Sequence, residues 1–166
     1  MAAGDTLLVF YPGDVELYST VAQTAVETLI NQHMVLDFFD GETVDTVCNF
    51  SSILPSHYDS NGITVYIHYC TPATSGDTDW EVAFERIGDQ QQAIDSDGFA
   101  AAQTSTGNTV PGTAYLVDVI DIPFTDGAQI DNIAVGEGFR VQLTRAYEGT
   151  LTDSAYVLMV ELRETT

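Results

Sequence analysis

Short segments in which hydrophobic and polar residues alternate are the feature that most restricts the fold of this 166-residue chain. Near its middle, Ile63, Val65 and Ile67 fall on one side of an extended segment, while Thr64 and His68 fall on the other. Because successive side chains of a β-strand point to opposite faces, this period of two indicates a half-buried strand. Similar segments recur from residue 34 onward, so an all-β fold is expected.

Turn-forming residues separate these segments at fairly even spacing. Pairs such as Asn61-Gly62 and Pro111-Gly112 tolerate a positive φ angle or start a turn. Strands joined by such turns are antiparallel, and residues 34–166 are therefore predicted to form a β-sandwich or barrel of about eight strands. The predicted strands lie at residues 35–39, 43–50, 63–70, 80–85, 99–106, 114–124, 138–146 and 154–163. A long polar connection is expected at 88–102.

The pattern is less regular in residues 1–33. A strand is predicted at 6–11. In residues 20–32, apolar residues at helical spacing compete with valines and threonines that favour a strand, and both interpretations stay open. We expect this segment to be an N-terminal arm, distinct from the sandwich, that binds a neighbouring subunit or the lattice of a larger assembly.

The charge of the chain is strongly unbalanced. Asp and Glu number 25 against 4 arginines and no lysine, which gives a net charge of −21. Binding to nucleic acid or to an anionic membrane surface is therefore not expected, since both require cationic side chains. Such a surface suits a protein that works in high salt, where repulsion between carboxylates is screened, or an acidic protein that its charge keeps soluble. The N-terminus lacks the pattern of a signal peptide, so synthesis in the cytoplasm is expected.

Cysteines and histidines show no metal-ligand spacing, so structural zinc is not expected. A Cys-His nucleophile at Cys70 would require His33 or His57 to approach from another part of the fold. Cys48 and Cys70 would face each other if their strands paired as a hairpin, so a disulfide is geometrically allowed. Buried free thiols are the expected state in a protein made in the cytoplasm.

Acidic residues are so frequent that paired carboxylates, as around Glu81, are expected by chance on solvated strand faces. Two oxygen-rich turns, at Asp95 to Asp97 and at Asp126 to Asp131, resemble parts of a calcium loop but lack its full set of ligands. The sequence thus predicts no catalytic residues, no enzymatic activity and no cofactor, with calcium at one of these turns as the alternative.

Several predicted strands carry apolar residues on both faces. A lone sandwich leaves its outer faces in water, so the second apolar faces need a cover, either the N-terminal segment or another subunit. Scarce arginines are also well suited to subunit contacts. The residues predicted to form such an interface are Tyr66, Ile120, Ile122, Val157, Met159, Arg140 and Arg145.

Four stretches carry a resemblance to a known group of proteins. They are ILPSHY at 53–58, GITVYIHY at 62–69, TSGDTDWEVAFER at 74–86 and VGEGFRVQLTR at 135–145. The chain resembles virion proteins of tailed viruses that have jelly-roll domains, over roughly residues 34–163. It departs from them in its aspartates before Trp80, which fit a virus of a salt-loving host.

The resemblance implies an antiparallel jelly-roll β-sandwich. Independently of the resemblance, Trp80 is expected to anchor the core between the sheets, with a partner for its indole N–H. The resemblance also implies a structural virion protein without fixing its place on the particle. We expect a capsid decoration or spike protein on the particle surface that contacts the major capsid protein, and a homotrimer in which the second apolar faces are covered. The alternative is a receptor- or glycan-binding module of a tail fibre. That module would show exposed aromatic residues and a calcium-dependent loop near Asp95 and Asp97.

Overall fold

A computed structural model describes residues 4–16, 23–39 and 44–165, which form two β-sheets packed face to face. These residues contain twelve strands and two short 3₁₀ turns, Pro12–Asp14 and Ala128–Ile130. The strands are β1 (Thr6–Phe10), β2 (Val15–Glu16), β3 (Gln23–Thr24), β4 (Val26–Ile30), β5 (His33–Phe38), β6 (Thr46–Ile53), β7 (Ile63–Cys70), β8 (Asp77–Ile87), β9 (Gln103–Thr109), β10 (Asp118–Phe124), β11 (Gly138–Ala146) and β12 (Ala155–Glu164). None of the described helices could cross a membrane.

The two sheets have the strand orders of a jelly-roll β-sandwich. Sheet A runs β10-β7-β12-β5-β4, with β1 paired to β12, and sheet B runs β2-β6-β11-β8-β9, with β3 paired to β6. Every pairing is antiparallel except that of the two-residue β3. Strands β5 to β12 are the eight expected beyond residue 34, so the predicted fold class is confirmed. The turn-forming pair Asp40-Gly41, between the first two strands predicted beyond residue 34, lies outside the described residues.

Trp80 anchors the core between the sheets, as its sequence context predicted. Its ring is fully buried and meets Phe38 of sheet A edge-on, with ring centroids 5.3 Å apart. The indole N–H donates to Thr78 Oγ1 at 3.1 Å, which supplies the partner that a buried Trp needs. Tyr69 contacts the same indole edge-on.

The N-terminal segment is part of the sandwich wherever it is described. Strand β1 pairs with β12, β2 and β3 pair with β6, and β4 pairs with β5. For residues 20–32 the sequence left helix and strand open. Residues 23–30 are extended and contain β3 and β4, so strand is correct for that part. Residues 17–22 lie outside the described residues. The segment thus contributes strands to both sheets, where an arm had been expected.

Three residues predicted at a subunit interface are core residues. Ile120 pairs with Ile67 and Ile122 with Val65, on the inward face of sheet A, and Val157 is also turned inward. Their exposed fractions are 8%, 1% and 1%, so they pack inside one chain and the expected interface there is corrected. The sequence shows that side chains alternate along these strands, but packing against the opposite sheet decides which of the two faces turns inward. The outward face of the same region carries Val117 and Val119 instead.

Arg145 is also an internal residue. Its guanidinium is buried and donates to the carbonyl oxygens of Phe38 and Asp153, each at 2.8 Å, and of Leu151 at 2.8 Å. It is therefore a structural link, which corrects its predicted place at a subunit contact. Tyr66, Met159 and Arg140 do lie on outer faces, and their part in a contact stays a prediction.

The two cysteines are free and buried. Cys48 lies on β6 of sheet B and Cys70 on β7 of sheet A, so the hairpin that would have brought them together does not form. Burial raises the pKa of both thiols, which makes them poor nucleophiles near neutral pH.

Candidate functional site

The outer face of sheet B carries a row of polar side chains that crosses three strands. Ser51 of β6 pairs with Arg140 of β11, and Arg140 pairs on its other side with Glu85 of β8. Residues that are paired across neighbouring strands lie on the same face of a sheet, so these three side chains project together. We call Ser51, Arg140 and Glu85 the cross-strand row. A second polar pair, Asn49 and Gln142, follows beside it, with Gln142 Nε2 donating to Asn49 Oδ1 at 3.2 Å.

The cross-strand row forms the floor of a cleft of about 220 Å³. Glu16 closes one end, and Ile87 and Ile94 give one wall an apolar surface. We call this space the sheet B cleft. The sheet B cleft therefore offers hydrogen-bonding groups on its floor and apolar side chains on one wall.

Arg140 is held firmly within the cleft. Its Nε donates to Glu85 Oε2 at 2.6 Å and its Nη2 also contacts that oxygen, while the guanidinium carbon lies 5.1 Å above the centre of the Phe99 ring. Glu85 is itself buried, so the ion pair is screened little by solvent. Because the planar guanidinium is oriented by both neighbours, its free edge is presented in one direction.

At the ends of the cleft, carboxylate groups accept hydrogen bonds from neighbouring side chains. Ser51 Oγ donates to Glu16 Oε1 at 2.5 Å. Arg86 forms a two-point ion pair with Glu137, which holds the pKa of the Glu137 carboxyl below its usual range. Both arginines and both glutamates of the cleft therefore have partners, and Asp97 adds a further carboxylate to the lining.

The connection after β8 forms one side of the cleft. Gly88 N–H donates to Gln92 Oε1 at 2.7 Å, and Ala100 N–H donates to the carbonyl of Phe84 at 2.8 Å, so this connection is attached to the sheet at both ends. Between these attachments, Ile94 is exposed. Residues 89–102 form turns and irregular structure, as the polar composition of this stretch predicted.

The carboxylates of the oxygen-rich turns are not gathered into one cluster. Among the described residues there is no group of three or more His, Cys, Asp or Glu side chains that could hold a metal ion. Asp131 Oδ2 accepts from the backbone N–H of Arg86 at 2.8 Å, and Asp126 Oδ1 accepts from the hydroxyl of Tyr58 at 2.7 Å. These two carboxylates therefore serve different parts of the fold.

A cluster of acidic residues around Glu81 lies on the same outer face of sheet B, beyond the cleft. The pKa of Glu81 is raised, chiefly by burial and then by the nearby carboxylates of Asp45, Glu148 and Asp79. This group gives one end of sheet B a strongly negative potential.

Arg140 is singled out by the sequence, as a residue of a subunit contact, whereas its neighbours in the cleft are not. Ser51, Glu85 and Glu16 belong to three different strands, and only the order β2-β6-β11-β8 brings them together. Their common face could have been found from strand alternation once that order was known. Alternation alone does not give the order, because it is a property of each strand separately.

Comparison with known proteins gives a fold. No protein-family model and no curated protein matches the chain. Among solved structures, the chain is similar to the CBM22-1 xylan-binding domain of Paenibacillus barcinonensis Xyn10C, with 10% identity and a TM-score of 0.53 over 100% of this chain and 99% of that one. It is also similar to a family 35 carbohydrate-binding module from Clostridium thermocellum, with 10% identity and a TM-score of 0.50 over 95% of this chain and 98% of that one. At these identities the likeness establishes the jelly-roll β-sandwich as the fold of this chain.

Proposed function

We propose that this protein is a non-catalytic carbohydrate-binding module whose ligand lies in the sheet B cleft. The observation that carries the proposal is the cross-strand row, in which a hydroxyl, a guanidinium and a carboxylate face one cleft beside an apolar wall. Its closest chemical complement is a chain of sugar rings, which has hydroxyl groups along its edges and C–H groups on its ring faces.

The polar floor suits pairs of neighbouring hydroxyl groups. Arg140 offers two parallel N–H donors, and carboxylate oxygens of Glu85 and Glu16 accept hydrogen bonds. Ile87 and Ile94 can contact the C–H face of a ring. The path from β2 to β8 crosses three strand spacings, roughly 14 Å, which favours an oligosaccharide over a single sugar.

The similar structures support the same class of ligand. Both are named for carbohydrate binding, and one is named for xylan. Exposed aromatic residues, expected of the glycan-binding alternative, are present at Tyr11, Tyr115 and Tyr147, but none of the three lines the sheet B cleft. The calcium-dependent loop expected near Asp95 and Asp97 is not part of the proposal.

The hydrogen bonds of the carboxylates in the cleft favour binding without catalysis. Glu85 is committed to Arg140 and Glu16 to Ser51, so each carboxylate serves as an acceptor in a fixed network. No histidine is among the described residues that line the cleft. These features suit recognition better than proton transfer, which needs an acid and a base poised to exchange protons with the ligand.

Arg140→Lys tests the proposal, because lysine keeps the charge but loses the planar two-point donor. We expect the affinity for soluble xylan or mixed-linked β-glucan, measured by affinity electrophoresis and calorimetry, to fall about tenfold or more. Arg163→Lys is the matched control, since Arg163 lies on the outer face of sheet A beside Glu161 and Tyr66. Equal losses in both variants, or no retention of the wild type on any glycan of a broad array, would contradict the proposal.

A place on a virus particle remains a proposal from the sequence resemblance. That resemblance allows two roles. A receptor- or glycan-binding module of a tail fibre agrees with the sheet B cleft, whereas no feature of the cleft supports capsid decoration or a homotrimer. Light scattering in high salt gives the oligomeric state, and a monomer would count against a trimer on the capsid.

A further inference from the structure

A second pocket lies on the other side of the sandwich, against sheet A. Its volume is about 380 Å³, and most of its lining is hydrocarbon. Apart from Asn31 and His33, the lining residues are Ile30, Val35, Cys70, Tyr115, Val117 and Leu158. We call this space the Tyr115 pocket. It shares no residue with the sheet B cleft and does not depend on the proposed carbohydrate function.

The pocket exists because β12 is irregular at this point. The register of β12 against β7 shifts between Val157 and Met159, and the pairing of β12 with β5 extends only as far as Val157. A β-bulge of this kind redirects a side chain and opens the sheet locally. Leu158, the extra residue, forms one wall, and Val35 of the diverging β5 forms another.

Tyr115 forms the aromatic wall in an unusual backbone conformation. Its φ is +60°, which is uncommon for a bulky residue and costs free energy. Its backbone N–H donates to the carbonyl of Thr71 at 2.7 Å, and its ring stacks on that of Tyr156, with centroids 6.5 Å apart and planes 14° apart. These contacts hold the ring in place although it is 51% exposed. A rigid, exposed aromatic ring beside an apolar pocket is suited to contact a ligand.

The charge around the pocket limits what it can bind. None of the lining residues is Asp, Glu, Lys or Arg. The guanidinium groups of all four arginines are engaged elsewhere, three with carboxylates and one with backbone carbonyls. Asp37 lies near Tyr156, whose pKa is raised chiefly by burial and then by this carboxylate. An anionic ligand would find no counter-charge there, which favours an uncharged one.

The size and polarity of the pocket narrow the ligand further. A dry apolar cavity of roughly 150 Å³ holds one benzene ring, so about 380 Å³ accommodates one or two rings. Asn31 and His33, from the turn and strand that follow β4, supply the polar side chains at this site. We propose that the Tyr115 pocket binds an uncharged aromatic compound of one or two rings that carries a polar substituent, such as a phenol.

The test uses 2-naphthol as the probe and two matched variants of the full chain. Val117→Trp fills the pocket, whereas Val119→Trp places the same side chain two residues away at a position outside the pocket lining. Val117 and Val119 are 49% and 44% exposed, so neither change disturbs the core. Calorimetry is expected to give saturable binding to the wild type, an affinity at least about tenfold weaker in Val117→Trp, and an affinity within about twofold of wild type in Val119→Trp.

The inference is wrong if the wild type shows no saturable binding or if both tryptophan variants bind equally. It is also wrong if sedimentation shows a dimer that only Val117→Trp dissociates, because a second copy would then cover the pocket.

Discussion

Arg145 joins the two sheets through a single side chain. It comes from β11 in sheet B and donates to carbonyls at the end of β5 and before the start of β12 in sheet A. Arg145→Met is expected to destabilise the fold by at least about 3 kcal/mol, because several buried carbonyls lose their donor. Urea unfolding followed by the fluorescence of Trp80, the single tryptophan, measures this. Arg86→Met is the control, because it removes a partly buried ion pair but leaves no buried carbonyl without its donor. A loss of about 1 kcal/mol or less in both variants would contradict a structural role for Arg145.

Glu161 makes the stability of the fold depend on pH in the acid range. The donors on Arg163 and then Thr6, acting against burial, lower the pKa of its carboxyl from 4.5 to about 2. A depressed pKa stabilises the folded state above the unfolded pKa near 4.5, and this contribution is lost as the pH falls toward about 2. We therefore expect wild type to be more stable than Glu161→Gln at pH 6, with the difference closing between pH 4.5 and 2. Denaturant unfolding across this range checks the prediction, and a constant difference would contradict it.

Strand β1 belongs to the core, and its removal should therefore affect the fold itself. Phe10 is 5% exposed and stacks on Phe50 of the opposite sheet, with centroids 5.0 Å apart, whereas its neighbour Tyr11 is 56% exposed. Phe10→Ala is expected to cost about 3–5 kcal/mol and Tyr11→Ala less than about 1 kcal/mol, because only the first leaves a cavity between the sheets. Thermal unfolding of both variants measures the contrast. Equal and small effects would restore the view of this segment as an arm.

The whole molecule should become more stable as salt is added. The net charge is −21, and the few arginines have partners already, so repulsion between carboxylates is the main charge effect that salt can change. Raising the salt from 0.1 M to 1 M shortens the Debye length from about 10 Å to about 3 Å and screens this repulsion. The unfolding temperature is therefore expected to rise steadily with NaCl in a calorimetric series. An unchanged or falling temperature would remove the argument for a high-salt origin.

Much of the fold could be predicted from the sequence because strand alternation and turn residues are local signals. The segment that became β7 was predicted with its bounds, and β8 was recognised around Trp80. The start of β10 was placed at residue 114, whereas it begins at Asp118. The positive φ of Tyr115 interrupts the extended chain just before it, and nothing in the identity of a tyrosine indicates that conformation.

The sequence by itself determined that the chain is all-β, which segments are strands and how strongly negative the molecule is, since each follows from residue types and their spacing. Tertiary structure alone decided that Ile120 faces inward while Val119 faces outward, and that Ser51, Arg140 and Glu85 share one cleft. The physical reason is that alternation defines two faces of a strand without saying which one is covered. Burial and cross-strand neighbours depend on strand order and register, which contacts between distant segments establish.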